Sequence, residues 1–178
     1  RRNIERAPDP RVSGQAMIED DHCFVGIDAY QKLLETDVDI ILEGSLPYCR
    51  PTHLAAAVEA GKHIFTEKPV ASDAYGINIV MEAARKHKEM GLSWVSGTQR
   101  RHSFHYQQTI KKLQDGALGD VIAMRAYWCG GLPFARPRPE GVSDLEYRVR
   151  NWYSYCWTCA DNIVEQHVHN IDVINWAI

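Results

Sequence analysis

The run Val38-Asp39-Ile40-Ile41-Leu42, and after it Gly61-Lys62-His63-Ile64-Phe65-Thr66-Glu67-Lys68-Pro69, decides the fold class. The first run is continuously apolar but for one charge, as a buried strand is. The intervening residues 52–60 are rich in alanine and predict a helix, and Gly61 stands where a left-handed helix cap is wanted. His63 to Thr66 predicts a second short strand. Strand, helix and strand at such close intervals argue for βαβ units, and so for a parallel sheet covered by helices.

The pattern extends both ways. Upstream, Asp28 with Gln31 three residues on marks a helix start, with Leu33 and Leu34 on its buried face. Downstream, residues 73–88 form an amphipathic helix with Ile77, Val80, Met81 and Ala84 on one face. Residues 92–96 predict a third strand, ended by Gly97. The pattern then changes. Residues 103–113 read as a helix ended near Gly116, 121–128 as a longer strand, 130–149 as a loop rich in Gly, Pro and Arg, and 162–178 as a helix. The domain boundary is expected between Gly97 and Gly119.

Bulk composition narrows the function. The 178 residues carry a net charge of −3, and the basic residues are scattered, so no basic stripe for nucleic acid stands out. No apolar run approaches the roughly 18 residues that span a membrane. The five cysteines are irregularly spaced and do not read as a disulfide framework. The chain begins without Met and stops at Ile178 inside a helical pattern. It is therefore expected to be an internal segment of a longer chain.

Three constellations carry chemistry. Glu67-Lys68-Pro69 follows the strand His63 to Thr66, and ligands in open α/β sheets bind at the carboxyl ends of strands. A lysine there can meet a substrate or cofactor hydroxyl; the plainer reading is a solvated ion pair. Glu165, His169 and Asp172 lie at i, i+4 and i+7 and share one helical stripe beside Val164, Val168, Ile171 and Ile178. A carboxylate one turn from a histidine suits a general base; a helix-supporting pair on a wet face is the plainer reading. Trp152, Tyr153, Tyr155 and Trp157, with Trp128, offer faces and polar tips for a sugar, or pack as core. Cys156-Trp157-Thr158-Cys159 has no second ligand pair for zinc. His167 and His169, at i and i+2, point to opposite sides of a helix, so no metal site is expected.

Several segments together resemble the Gfo/Idh/MocA oxidoreductases (glucose–fructose oxidoreductase and inositol dehydrogenase). Ala60 to Pro69 is similar to A-G-K-H-V-x-x-E-K-P. The run 38–42 with Pro47 and His53 resembles a strand and its T-P-N-x-x-H turn, here longer and without the Thr and Asn. Gly97-Thr98-Gln99-Arg100-Arg101 and Asp115-Gly116-Ala117-Leu118-Gly119-Asp120 resemble later landmarks in order. Glu165 to Asp172 is similar to D-x-G-x-H-x-x-D, with Glu165 for Asp and His167 for Gly. The resemblance runs from about Gly26 to Ile178.

The resemblance implies an α/β Rossmann-type domain, its start lacking here, followed by an α+β domain with an open, mainly antiparallel sheet, its end lacking here. The divisions are 1–99 for nucleotide binding, 100–119 for a connecting helix and turn, and 120–178 for the start of the substrate and oligomerisation domain. No G-x-G occurs, so the Gly-rich loop is expected before Arg1. The implied cofactor is NAD or NADP, held by Pro47, His53, Glu67, Lys68 and Gln99. The implied reaction is hydride transfer at a secondary alcohol of a sugar or cyclitol. Lys68, His169 and Glu165 would be catalytic: His169 takes the hydroxyl proton, Lys68 stabilises the alkoxide, and Glu165 orients. Arg100, Trp152, Tyr155 and Asp172 would contact substrate. Glu165 is expected to raise the pKa of His169 and Lys68 to oppose it. A homo-oligomer, dimer or tetramer, is implied, in the cytoplasm by default or exported if a signal precedes Arg1. An NAD-using glycosidase and a non-catalytic sugar-binding or assembly subunit are the alternatives.

Overall fold

The computed structural model describes residues 20–131 and 135–178. The chain divides into two compact units, residues 1–38 and 39–178. In the first, a short 3-10 turn at Asp20–His22 precedes helix α1 at Ala29–Leu34. Lys32 pairs with Asp28 one turn away. Contrary to expectation, α1 buries neither Leu33 nor Leu34: it has fewer than two full turns, and none of its residues is buried.

The second unit begins with β1 (Ile40–Glu43), α2 (Arg50–Glu59), β2 (His63–Thr66), α3 (Ala74–Glu89) and β3 (Trp94–Ser96). The strands form one parallel sheet in the order β1-β2-β3, with Ile41 opposite Ile64 and Ile64 opposite Trp94. The βαβ expectation therefore holds. Helix α2 starts with Pro51 in its first turn, where a missing N–H costs nothing. It ends at Gly61, whose φ of +67° is left-handed. Helix α3 is capped by Asp73, whose side chain accepts from the Gly76 N–H at 2.6 Å. Its last turn carries Lys86, His87 and Lys88, which suit the negative end of the helix dipole.

The core lies between one sheet face and the two helices: Ile41, Leu54, Ala57, Val58, Ile64, Val80 and Ala83. Strand β1 alternates, with Ile41 and Glu43 inward and Ile40 and Leu42 outward at 60% and 76% exposure. The face of α3 also differs from expectation. Gly76, Val80, Ala83 and His87 are buried, while Ile77 and Met81 are exposed. Close helix packing explains the rotation: a Cβ at Gly76 would lie 2.8 Å from Cγ of Pro51 on α2. The small residues face the neighbouring helix because only they let it approach.

Beyond β3, a 3-10 turn at Gln99–His102 leads into α4 (Phe104–Gln114). Residues 121–128 form no strand. Their burial alternates, Met124, Ala126 and Trp128 being half-buried between exposed neighbours, as an extended segment's does. A strand needs a hydrogen-bonded neighbour, and among the described residues no segment pairs with this one. The stretch expected as loop contains α5 (Asp144–Arg150), whose Ser143 side chain accepts from the Glu146 N–H at 3.2 Å. That Ser-x-x-Glu spacing is the one a capping box uses, and here the Glu146 carboxylate pairs with Arg150 at 2.6 Å. A single turn, α6 (Cys156–Cys159), follows. A π-helical turn at Ile163–His167 then runs into α7 (Val168–Ala177). No described helix is long and apolar enough to cross a membrane.

Candidate active site

The carboxyl ends of the three strands are tied together just beyond the regular ladder. The Glu67 N–H donates to the Glu43 carbonyl and the Gly97 N–H to the Thr66 carbonyl, both at 2.8 Å. Glu67-Lys68-Pro69 is thus presented on a fixed edge, and its Lys68–Pro69 peptide is cis. Gly97 leaves room for the Glu67 carboxylate, since a Cβ there would stand 2.9 Å from Oε2.

Lys68 reaches from this edge to the π-helical turn nearly a hundred residues later. Its ammonium donates to the Glu165 carbonyl and lies 3.6 Å from Oε2 of the same residue. The polar stripe on the last helix faces inward: Glu165 is 4% exposed and His169 7%, while Ile163 and Ile171 point to solvent. An ordinary amphipathic helix does the reverse. π turns recur at functional sites, and this one contains Glu165.

Both catalytic candidates on this helix are shifted in pKa. Burial raises the Glu165 carboxyl above its ordinary value, with Lys68 and Arg50 pulling it down. Burial lowers His169, and the positive charges of Lys68 and Arg100 lower it further, against Asp172 and Glu67. The expected upward push from Glu165 is therefore replaced by a net downward shift. Desolvation and two nearby cations favour the neutral imidazole.

A cavity of about 670 Å³ opens at this meeting point, lined among others by Lys68, Glu165, Trp128, Trp152, Tyr153 and Gln166. Glu165 Oε1 is buried and finds no hydrogen-bond partner among the described residues. Such an acceptor suits a ligand hydroxyl, because leaving it unpaired costs about 1–3 kcal/mol. Tyr153 and Gln166 are joined side chain to side chain. His169 stands just behind this wall, with its ring 6.3 Å from that of Trp128.

The other expected residues are spread more widely. Glu67 lines the cavity, and Gln99 is exposed at the end of β3. Pro47 is fully buried in the turn after β1. His53 is drawn into a cluster: its Nδ1 lies 3.2 Å from Ser45 Oγ and 3.3 Å from Glu43 Oε2. Burial pushes the Glu43 carboxyl up, but hydrogen bonds from His53 and Ser45 outweigh it and hold it below its ordinary value. Arg100 bonds the Asn170 side chain and lies over Trp128 and Tyr106, lining a second hollow of about 380 Å³. Asp172 is held two-pronged by Arg101, at 2.9 and 3.0 Å from Nε. Trp152 lines the main cavity, whereas Tyr155 lies under the Arg148 guanidinium. Cys159 is buried and its thiol pushed up by burial, and no cluster of three metal-ligating side chains forms among the described residues.

Sequence reading missed Arg50. It opens α2, is 5% exposed, and donates to the carbonyls of Glu67, at 3.0 Å, and Pro69. The available signal was a charge at the head of an alanine-rich helix, in the connection that follows a strand's carboxyl end.

A parallel βαβαβ unit with its polar cluster at the strand ends is a Rossmann-type nucleotide-binding arrangement. Residues 8–95 match the family model GFO_IDH_MocA, described as an oxidoreductase family with an NAD-binding Rossmann fold, and the chain belongs to that family. It is 28% identical over 143 residues to the inositol 2-dehydrogenase/D-chiro-inositol 3-dehydrogenase of Halalkalibacterium halodurans, covering 80% of this chain and 34% of that protein. It thus spans about a third of that relative's length. The crystal structure of myo-inositol 2-dehydrogenase from Lactobacillus plantarum superposes with a TM-score of 0.65 at 21% identity, over 86% of this chain and 41% of that one. The WlbA dehydrogenase from Bordetella pertussis, in complex with NADH and UDP-GlcNAcA, gives 0.62 at 19% identity, over 87% and 40%. At these identities the two structures establish the fold.

Proposed function

We propose that the intact protein is an NAD(P)-dependent oxidoreductase acting on a secondary alcohol of a sugar or cyclitol. One observation carries this reading: Lys68 on the sheet edge and Glu165 on the last helical stretch meet at one cavity with a desolvated histidine beside it. A bound nicotinamide supplies the hydride acceptor. The strand-end segments bearing Glu67, Lys68 and Gln99 would face its ribose and ring, with buried Pro47 and His53 on α2 supporting that side.

The chain's own residues would work as follows. The Lys68 ammonium donates to the substrate hydroxyl oxygen and stabilises negative charge as it develops. A neutral ring nitrogen of His169 accepts the hydroxyl proton; the burial that lowers its pKa keeps that nitrogen free. Glu165 holds Lys68 and offers its unpaired oxygen to a neighbouring hydroxyl. Trp128 and Trp152 present faces to the C–H side of a ring and exclude water. Arg100, Tyr155 and Asp172 support this wall from outside.

In the same reading, residues 1–99 belong to the nucleotide-binding domain, 100–119 connect, and 120–178 begin a substrate domain. The segment 121–128 would pair there within an open sheet, through which a homo-oligomer forms. The test is turnover of a panel of inositols and aldoses with NAD and NADP, followed by nicotinamide absorbance. Net reduction of the dinucleotide, lost in Lys68→Met, supports the reading. Ligand binding without any redox change defeats it.

A further inference from the structure

We propose that Arg50 is the positioning residue for Lys68, acting by clamping the two carbonyls on either side of it. The inference rests on the reading of Lys68 as the group that meets the substrate hydroxyl. Arg50 comes from the first turn of α2, yet its Nη1 bonds the carbonyls of residues 67 and 69. It touches the backbone that carries Lys68 and leaves the lysine's own side chain to Glu165.

Three features argue for more than a structural strut. A buried guanidinium is costly unless paired, and here its bonds run to neutral carbonyls. Its Nε is also buried, with no partner among the described residues. A buried donor left without a partner is uncommon, and functional sites are one place where it recurs. The cation also lies close enough to Glu165 to favour the ionised carboxylate, so it serves both partners of Lys68's ion pair. Finally, Arg50 lines the same cavity as Lys68 and Glu165. A buried, planar guanidinium is pre-organised, so it fixes direction better than a flexible ammonium does.

The step it serves is geometric. Lys68 must place an N–H on the substrate oxygen as that oxygen gains charge. A misplacement of about 1 Å in such a group costs up to about 10²-fold in rate. The carbonyls of 67 and 69 bracket the Lys68 Cα, so freeing them frees the whole lysine.

The experiment uses the full-length protein with Arg50→Met and Arg50→Lys, beside Lys68→Met. The first readout needs no cofactor: labelling of each lysine by an amine-acylating reagent, resolved by mass spectrometry. In wild type Lys68 should be protected by its contact with Glu165. In Arg50→Met, Lys68 labelling should rise at least about fivefold relative to exposed Lys111 and half-buried Lys62, with Arg50→Lys intermediate. The second readout is kinetic: kcat should fall about 10–100-fold with KM for the polyol changed less than about threefold. Lys68 labelling and kcat both unchanged in Arg50→Met overturn the proposal. A uniform rise over all lysines signals unfolding of that variant. Arg50→Lys then decides, and wild-type behaviour in both readouts there overturns it equally. If Lys68→Met itself retains full turnover, the reading of Lys68 fails, whatever Arg50 does to the labelling.

Discussion

Lys68→Met removes the ammonium that faces Glu165, and the structure sets what the removal costs. The charges stand 3.6 Å apart, with both side chains mostly buried. At an effective dielectric of about 20, that separation is worth roughly 4–5 kcal/mol. Removing one partner of a buried pair costs about 3–5 kcal/mol, in the same range. Glu165 can shed part of this cost by binding a proton. Burial already raises its carboxyl above the ordinary 4.5, and Lys68 is the strongest influence holding it down. Without Lys68 the folded-state value climbs further. A carboxyl with a folded value above its unfolded one binds protons more tightly in the native state. Stability therefore falls as pH rises from about 4.5 through the folded value. The deficit of Lys68→Met should be small near the lower end and grow towards pH ~8. Urea unfolding of wild type, Lys68→Met, Glu165→Gln and the double variant gives the coupling energy directly. It should be about 3–5 kcal/mol at pH ~8 and less than half of that at pH ~5. A coupling below about 0.5 kcal/mol at the higher pH, or one independent of pH, refutes the reasoning.

His169→Ala should lower oxidation turnover about 10²–10⁴-fold with little change in dinucleotide affinity, measured by initial rates and cofactor titration. Because burial and two cations lower His169, the acid limb of wild-type oxidation should fall below the ordinary 6.5; a limb above it contradicts the assignment. Gly76→Ala places a methyl 2.8 Å from Pro51 and should destabilise by about 1–3 kcal/mol in urea without altering cofactor affinity. Chelator-free protein should hold no structural zinc at Cys156 and Cys159, and one zinc per chain that disappears in Cys159→Ser would show otherwise.

Local signals carried the first half of the molecule. Apolar runs, a left-handed glycine at 61 and an Asp73 cap are short-range features, and β1 to β3 with their two helices follow from them. The inward stripe of Glu165 and His169 was visible as spacing, but its direction was not: periodicity marks a face without saying which way it points. That is why Ile171 proved exposed and Glu165 buried. The face of α3 was misjudged for a related reason, since hydrophobicity favours Met81 whereas close approach to Pro51 favours Gly76. Residues 121–128 have the alternation of a strand, but pairing is a property of two segments. Helix α5 was legible after all, in Ser143 and Glu146, and was masked by the Gly and Pro around it. The charge of Arg50 at a helix head was legible, but its partners were not, being backbone carbonyls seventeen and nineteen residues away.

In the proposed reaction Lys68, Glu165 and His169 form one centre for alcohol oxidation. Its most direct test is the pH profile of dinucleotide reduction by the intact protein with an inositol substrate, for wild type and His169→Ala. Wild type should oxidise with an acid limb below the ordinary histidine value, and the variant should lose both rate and limb. A variant that keeps the wild-type rate and limb would contradict the claim and make Lys68 the first alternative as proton acceptor.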